Sequence, residues 1–582
     1  MPIPYLRCSK HIETRMKSLL WQMTPADESL VSQLHGVLRI DPVFCTLLTQ
    51  RGITTLEAAQ LFFRPKWEDL HDPFLMKDMD KAVHRLQQAR QREERILLYG
   101  DYDVDGTTSV AMMYRFLSGF HPHIDYYLPD RDKEGYGVSM EGMEYAKAQN
   151  CTLIIAMDCG IKAHAAVDLA RSYGIDFIIC DHHLPEGGLP NAVANLDPKR
   201  PDCDYPYKEL SGCGISFKLA QAFALYHNMP AEELSALLDL VAVSIACDIV
   251  PMTGENRVLA HLGLQCLNRN PSIGLWALMQ RTNRPMPLNI NDLVFAVGPM
   301  INAAGRLGDA RDAVRLMLSA DRNSALDYAG RLVHRNKERR EVDHNVAREA
   351  VDRVVSEPGM ELKKSIVLFN PDWHKGIIGI AASRMAEKFH RPSVILTKSN
   401  GRAVGSARSV PGFDLYAALQ SCEDLFYSYG GHAHAAGMQM PVENVDAFAE
   451  RFEMTVQEQM SEEAANPLLE ICSLLPLEAI TPKFWKMLKR FEPFGPHNRN
   501  PVFYATDVVD TGHSRILENN HVRFSLRSSL GKTVFGGIGF GMAEIFQAVK
   551  GRPFDIAFNI REEYWRGERG ISLQVKDIRQ KK

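Results

Sequence analysis

Residues 95–106 read RILLYGDYDVDG, an apolar run that ends in three aspartates at alternate positions, Asp101, Asp103 and Asp105, followed at once by a glycine. Ile96 to Tyr99 have the length and composition of a buried strand, and Thr107 to Leu117 carry a helical pattern. The acids therefore fall at a strand-to-helix turn, where open α/β sheets place their ligands. Three carboxylates this close repel one another, and each is expected to hold its proton more tightly unless a cation is present. Oxygen donors of this kind suit Mg²⁺ or Mn²⁺. The alternative is a solvated acidic turn in which one aspartate caps the next helix.

Outward from this stretch the pattern repeats. Strands are predicted at Ile124–Leu128, Leu153–Met157 and Phe177–Cys180, with helical segments at Gly142–Gln149 and Ala163–Tyr173 between them. Each strand is followed by residues that carry chemistry: Asp158 in MDCG after the third, and Asp181, His182 and His183 after the fourth. In a parallel sheet these positions line one edge, so residues far apart in sequence meet in one crevice. After the second strand come Pro129-Asp130-Arg131 and the GYG of residues 135–137. They read either as a plain surface loop or as a loop that brings Arg131 to a phosphate. A last apolar segment, Leu237 to Val250, delivers Asp248 just before Pro251, as a helix cap or as a further ligand.

The whole chain sets bounds on these readings. At 582 residues it has room for roughly three to five domains. The 45% hydrophobic and 24% charged residues describe a soluble globular protein, and the net charge of −4 leaves any basic surface to be local. The eleven cysteines form no CxxC pair and fit reduced, buried thiols. The first residues contain no apolar core of signal-peptide length and no later run is long enough to cross a membrane, so a cytoplasmic protein is expected.

DVDG at 103–106, MDCG at 157–160, DHH at 181–183 and CDIVP at 247–251, in this order, resemble the DHH phosphoesterase superfamily. PMINAAGRLGDA at 299–310, GSARS at 405–409, GGHAHAAG at 430–437 and FEPFGPHNRNPVF at 491–503 narrow the resemblance to its RecJ family of single-strand-specific 5′→3′ DNA exonucleases. The resemblance implies a two-metal phosphodiester hydrolase, an exodeoxyribonuclease of DNA recombination and repair that releases 5′-mononucleotides. Two Mg²⁺ or Mn²⁺ ions would be held by Asp101, Asp103, Asp105, Asp158, His182 and Asp248, with Asp158 bridging them and His183 orienting or protonating the phosphate; His182 and His183 can exchange these roles. Many superfamily members carry a histidine where this chain has Tyr99, so the first metal's ligand set is expected to differ, with Asp101 in its place. The family also implies cooperation with single-strand-binding protein and a RecQ-type helicase.

The remaining motifs divide the chain. An N-terminal helical segment (1–49) precedes a parallel-sheet DHH domain (50–254) and a helical connector (255–358). Within the connector, Asn302 to Arg306 sets small residues beside one arginine, read as a tight helix turn or as a phosphate fork at Arg306. Arg331 to Arg348 reads as a solvated long helix joining two lobes. A second α/β domain (359–463), with strands SIVLF and SVILT around the helix Ile377–Phe389, resembles the DHH-associated domain. There the family places phosphate recognition on Ser406 and Arg408 of GSARS and on Gly431 and His432 of GGH. Trp373 before that helix is a stacking face or packing. Residues 464–582 read as five short strands with a helix, Ala543–Val549, between the third and fourth, the pattern of an OB-fold barrel. Phe503, Phe524, Phe535, Tyr564 and Trp565 with Arg523 and Arg527 supply either core or a single-strand platform. A cleft between two lobes that admits a single strand and excludes a duplex is the expectation. The competing readings are a DHH enzyme of short oligonucleotides or cyclic dinucleotides, and a non-catalytic single-strand binder on the same fold.

Overall fold

The computed structural model describes residues 19–565 and 568–580, without side chains at Tyr564, Trp565, Glu568 and Arg569. The chain forms two compact units. Unit I holds Gln60–Arg339 together with Phe491–Arg499, and unit II holds the residues up to Ala59, Arg340–Arg490 and those from Asn500 onward.

Unit I is built on a five-stranded, all-parallel sheet: β1 (Ile96–Gly100), β2 (Ile124–Tyr127), β3 (Leu153–Met157), β4 (Asp176–Cys180) and β5 (Ala194–Leu196), in the order β2-β1-β3-β4-β5. The order reverses between β1 and β3, and that switch point is the crevice at which such sheets bind ligands. Side chains of β1 alternate between two cores. Ile96 and Leu98 pack among the helices α1 (Val104–Ser118), α2 (Gly212–Tyr226) and α3 (Leu238–Cys247), whereas Leu97 and Tyr99 face the opposite layer with Met143, Val167 and Ala170. Burial on both faces is why these strands read as unbroken apolar runs. The short β5, three residues long, has no such run and escapes prediction.

Two starts differ from expectation. Helix α1 begins at Val104, not Thr107, because Asp103 is its N-cap and accepts the Gly106 amide. Asp105 therefore sits in the first helical turn. Near the N-terminus, in the segment read as helical, Leu20–Met23 forms a strand that pairs in parallel with Leu468–Ile471. Residues 1–18 lie outside the described residues.

The helices from Gly254 to Met317, among them α4 (Gly298–Leu307), pack into the same core as α1 to α3 and belong to unit I. The FEPFGPHNRN stretch serves this unit structurally. Buried Arg257 donates to the carbonyls of Phe491, Glu492 and Pro493, and the Met252 amide donates to the Pro496 carbonyl. The chain passes from unit I to unit II through α5 (Arg322–Ser356), the long helix of mixed charge.

Unit II contains a mixed sheet of β6 (Ile366–Phe369), β7 (Ser393–Ser399), β8 (Arg402–Arg408), β9 (Ser428–His432) and β10 (Ala435–Met440), ordered β9-β10-β8-β7-β6, with helix α6 (Ile378–Phe389) packed on it. Trp373 is buried and donates to Glu349, so it is packing. The C-terminal strands β11 (Phe503–Asp510), β12 (Val522–Ser528), β13 (Phe535–Gly539), β14 (Phe554–Trp565) and β15 (Glu568–Gln580) run β11-β14-β15-β13-β12, and β12 pairs back with β11. With β13 and β15 parallel and helix α7 (Ala543–Val549) before β14, this closed barrel is an OB-fold. Phe503, Phe524 and Phe535 are core residues, and the side chains of Tyr564 and Trp565 lie outside what is described. Arg523 is exposed on β12. Arg527 donates to the carbonyls of Ser528 and Ser529.

The ten cysteines among the described residues are free thiols, and no helix among them is long and apolar enough to cross a membrane.

Candidate metal centre

The C-terminal ends of β1, β3 and β4 and the end of α3 bring the acids and histidines of unit I together. One ligand atom each of Asp158, His182 and His183 lies within 4.8 Å of the others, and the same holds for Asp105, His182 and Asp248. His182 belongs to both groups, its Nε2 3.2 Å from Asp158 Oδ1 and 3.6 Å from Asp248 Oδ2. Asp101 and Asp103 stand outside both groups but are close enough to Asp158 to raise its pKa.

Local structure explains how so many acids are tolerated. Gly106 is required because a Cβ there would lie 2.4 Å from the Asp101 carbonyl oxygen, so the first turn of α1 packs directly on the acid loop. Asp105 points at the start of α2 and accepts the amides of Gly212 at 2.7 Å and Cys213 at 2.8 Å, with the Ser244 hydroxyl at 2.6 Å. Its charge thus meets the positive end of α2, and it sits in the first turn of its own helix α1. Gly212 itself leaves room for Asp158, whose Cβ would lie 2.6 Å from any Cβ placed there. Asp158 has φ of +60°, a left-handed backbone that costs energy in a non-glycine residue and aims its side chain into the crevice.

The other metal-site acids are less well supplied, Asp103 having the Gly106 amide. Burial and the charge of Asp103 hold the Asp101 carboxyl well above the usual range, and neither oxygen has a well-formed hydrogen bond, the nearest donors being the amides of Tyr102 and Gly137. Asp158 is raised by burial and then by Asp105, Asp103, Asp248 and Asp101, and Asp248 by burial and then by Asp105 and Asp103. Asp103 is raised by burial and Asp105. Asp248 Oδ2 and His182 Nδ1 are also buried without a hydrogen-bond partner. Burial pulls His182 down to about 4, leaving a neutral ring able to ligate. A buried, self-repelling set of oxygens and one neutral imidazole, short of donors, fits a hard divalent cation.

His183 is different. Its Nδ1 lies 2.7 Å from Asp181 Oδ1, and Asp181 is fixed as an anion: against the cost of burial, the His183 hydrogen bond, both histidines and the Ile161 amide bring it to about 2. The Tyr136 hydroxyl donates to the Asp158 carbonyl at 3.0 Å and lies 3.0 Å from His183 Nε2. In the charged ring Nδ1–H would donate to Asp181 and Nε2–H to this hydroxyl, and Asp181, Asp105 and Asp103 raise the pKa of the ring despite its burial.

Arg131 stacks over the Tyr102 ring at 5.1 Å, and Arg306 is near enough to the same ring to lower the pKa of its hydroxyl. Gly305 allows this, since a Cβ there would meet the Tyr102 carbonyl at 2.4 Å, and Asn302 Oδ1 accepts the Val104 amide at the start of α1. In unit II, Arg408 donates to Ser406 Oγ at 2.9 Å, and the register sets Arg408 opposite Ala435 and Ala435 opposite His432. Gly431, with φ of +146°, stands where a Cβ would meet the Ala435 carbonyl at 2.3 Å. Gly379, in the first turn of α6, faces Ser406 and Arg408. The structure thus joins Arg131 and Arg306 to the acids in unit I, and gathers Ser406, Arg408, Gly431 and His432 in unit II.

Sequence reasoning missed several participants. Tyr136 was visible only as part of GYG. Tyr99, whose hydroxyl donates to the Gly137 carbonyl and accepts the Ser139 amide, pins the loop that carries Tyr136. Asp197, buried and pushed up to about 7 by burial and by Asp181, accepts the Lys199 amide at 2.7 Å, and neither residue belongs to a motif. Nothing in the sequence links Gly212 and Ser244 to Asp105; only folding does.

Comparison with known proteins agrees with this fold. The DHH family N-terminal domain matches residues 95–245, the DHHA1 domain 362–458 and the RecJ OB domain 473–577. The single-stranded-DNA-specific exonuclease RecJ of Bacillus subtilis is 35% identical over 96% of this chain and 70% of its own length. That of Salmonella typhimurium is 31% identical over 93% of this chain and 96% of its own length. The crystal structure of RecJ in complex with Mn²⁺ from Thermus thermophilus superposes with a TM-score of 0.83 at 26% identity, covering 97% of this chain and 80% of that one. The chain belongs to the RecJ family.

Proposed function

We propose that this chain is a metal-dependent exonuclease that hydrolyses single-stranded DNA from its 5′ end and releases 5′-mononucleotides. The observation that carries the proposal is the convergence of buried, partner-poor carboxylates and a neutral His182 on the switch point of a DHH sheet. Asp101, Asp103, Asp105, Asp158, His182 and Asp248 would hold Mg²⁺ or Mn²⁺, with Asp158 shared. Bound there, the ions supply a water activated near neutral pH and neutralise a non-bridging phosphate oxygen. His183, held by Asp181, presents an N–H from Nε2 with which to orient the phosphate or protonate the leaving oxygen. Arg131 and Arg306 face the strand's phosphates beside Tyr102, and Ser406, Arg408, Gly431 and His432 hold the phosphate that sets the register of cleavage. The barrel adds a surface for the single strand, which an enzyme confined to dinucleotides does not need. Free thiols and a DNA substrate favour the cytoplasm, and the family supports single-strand-binding protein and a RecQ-type helicase as partners in repair and recombination.

Digestion of 5′-labelled and 3′-labelled single strands, with a duplex control, tests this. Early release of labelled 5′-mononucleotide in Mn²⁺, abolished by EDTA and by Asp158→Asn, is expected. Binding without cleavage in either metal would replace the proposal with a single-strand binder, and cleavage of only two- to five-residue fragments with an oligonucleotidase.

A further inference from the structure

A recess of about 490 Å³ opens in unit I where residues 67–74 meet the C-terminal turn of α2. Much of its lining is apolar: Trp67 is half-buried, and Phe74, Leu225 and Tyr226 are exposed. Gln221, one turn before Leu225 on α2, also lines it, yet Gln221 is only 6% exposed and its Oε1 has no hydrogen-bond partner. The charge is acidic. Glu68 and Asp72 are exposed, and no lysine or arginine lines the recess. Among the described residues Glu68 has no hydrogen-bond or ion-pair partner, while Asp72 accepts the Phe74 amide at 2.9 Å. The segment is fixed from within: buried Lys218 donates to the His71 carbonyl at 2.6 Å and to Glu255 at 2.9 Å, and Glu255 accepts the His71 amide at 3.0 Å.

We infer that this recess is a docking site for a segment of another protein that presents an arginine beside a bulky apolar side chain. The guanidinium pairs with Glu68 and Asp72 and donates to Gln221 Oε1, the acceptor that folding buries and leaves unfilled. Aromatic residues in the lining add cation–π attraction, and the neighbouring apolar side chain covers Phe74 and Leu225. The volume is that of ordinary ligand sites, and a preformed recess costs little to occupy. A purely aliphatic ligand would leave Gln221 Oε1 unfilled, and the two carboxylates repel a nucleic-acid strand.

The test uses the full chain, in saturating Mn²⁺ so that the acids of the metal centre are engaged, and a fluorescein-labelled peptide of glycine, arginine, leucine, arginine, phenylalanine and glycine, followed by anisotropy. Saturable binding is expected. It should weaken about tenfold or more in Glu68→Lys, in Gln221→Leu, which keeps the shape and removes the acceptor, and with a peptide whose arginines are replaced by neutral citrulline. Glu458→Lys, a charge reversal at an exposed position of unit II, should leave binding unchanged. Digestion of single-stranded DNA should stay unchanged in all three variants, and circular dichroism melting confirms that each folds. No saturable binding, or binding that Glu458→Lys weakens as much as Glu68→Lys does, overturns the inference. Free arginine that displaces the peptide at the peptide's own concentration overturns it in favour of a small cation. A dimer in sedimentation that Glu68→Lys dissolves assigns the recess to a second copy, and a carbodiimide cross-link from Lys10 or Lys17 to Glu68 within one chain assigns it to the chain's own basic N-terminal segment.

Discussion

The two clusters read as phosphate chemistry in this chain are built on opposite principles. In unit I, acids gather at strand and helix ends; Asp105 and Asp181 are well supplied with hydrogen-bond donors, whereas neither oxygen of Asp101 has one. In unit II, Ser406 and Arg408 lie half-exposed on the central strand β8 and His432 lies exposed on the edge strand β9, and Arg408 rests on neighbouring oxygens. Like charges buried together destabilise the fold until a cation arrives, whereas a half-exposed arginine is solvated at little cost. The first cluster should therefore answer strongly to metal and pH, and the second to substrate and salt.

The sharpest test of that contrast is Asp158→Asn, which should lower the cleavage rate by about 10³-fold or more while single-strand binding survives. Next in size is the response to metal. Saturating Mn²⁺ should stabilise the protein by about 3–4 kcal/mol at several hundred times Kd, seen as a rise in Tm by calorimetry, and Asp101→Asn should shrink it. Arg408→Ala should cost about 2 kcal/mol in kcat/KM on 5′-phosphorylated strands and flatten the salt dependence, with no change in the Mn²⁺-induced Tm shift. If that shift fell too, the two clusters would not be independent.

The pH response has a definite sign. Asp197, raised to about 7, favours folding while protonated, so its contribution is complete below the unfolded value and is lost as pH rises through about 7. Asp101, Asp103, Asp158 and Asp248 are raised as well and act in the same direction. In EDTA the Tm should therefore fall from about pH 5 to pH 8, and Asp197→Asn should reduce the slope. Mn²⁺ should abolish most of it. The smallest effect is expected for Trp373→Phe, which loses the hydrogen bond to Glu349 for about 1 kcal/mol of stability and leaves cleavage intact.

What could be read in advance follows from distance along the chain. Asp101, Asp158 and His182 were legible because each closes a strand, and parallel strands put such positions on one edge. The barrel itself was legible from five short runs with one helix between the third and fourth. The support of Asp105 was not, since its donors lie more than a hundred residues away and glycine and serine announce nothing. Trp373 and the barrel phenylalanines show the converse: an aromatic residue in sequence has no face until packing assigns one, and here the core takes them.

The left-handed backbone at Asp158 bears on how such an enzyme can lose its chemistry. Asparagine tolerates that conformation better than most residues do, and a single G-to-A change in either aspartate codon produces it. A lineage can thus pass from nuclease to DNA-holding protein in one mutational step that leaves the crevice standing, with no intermediate that misfolds.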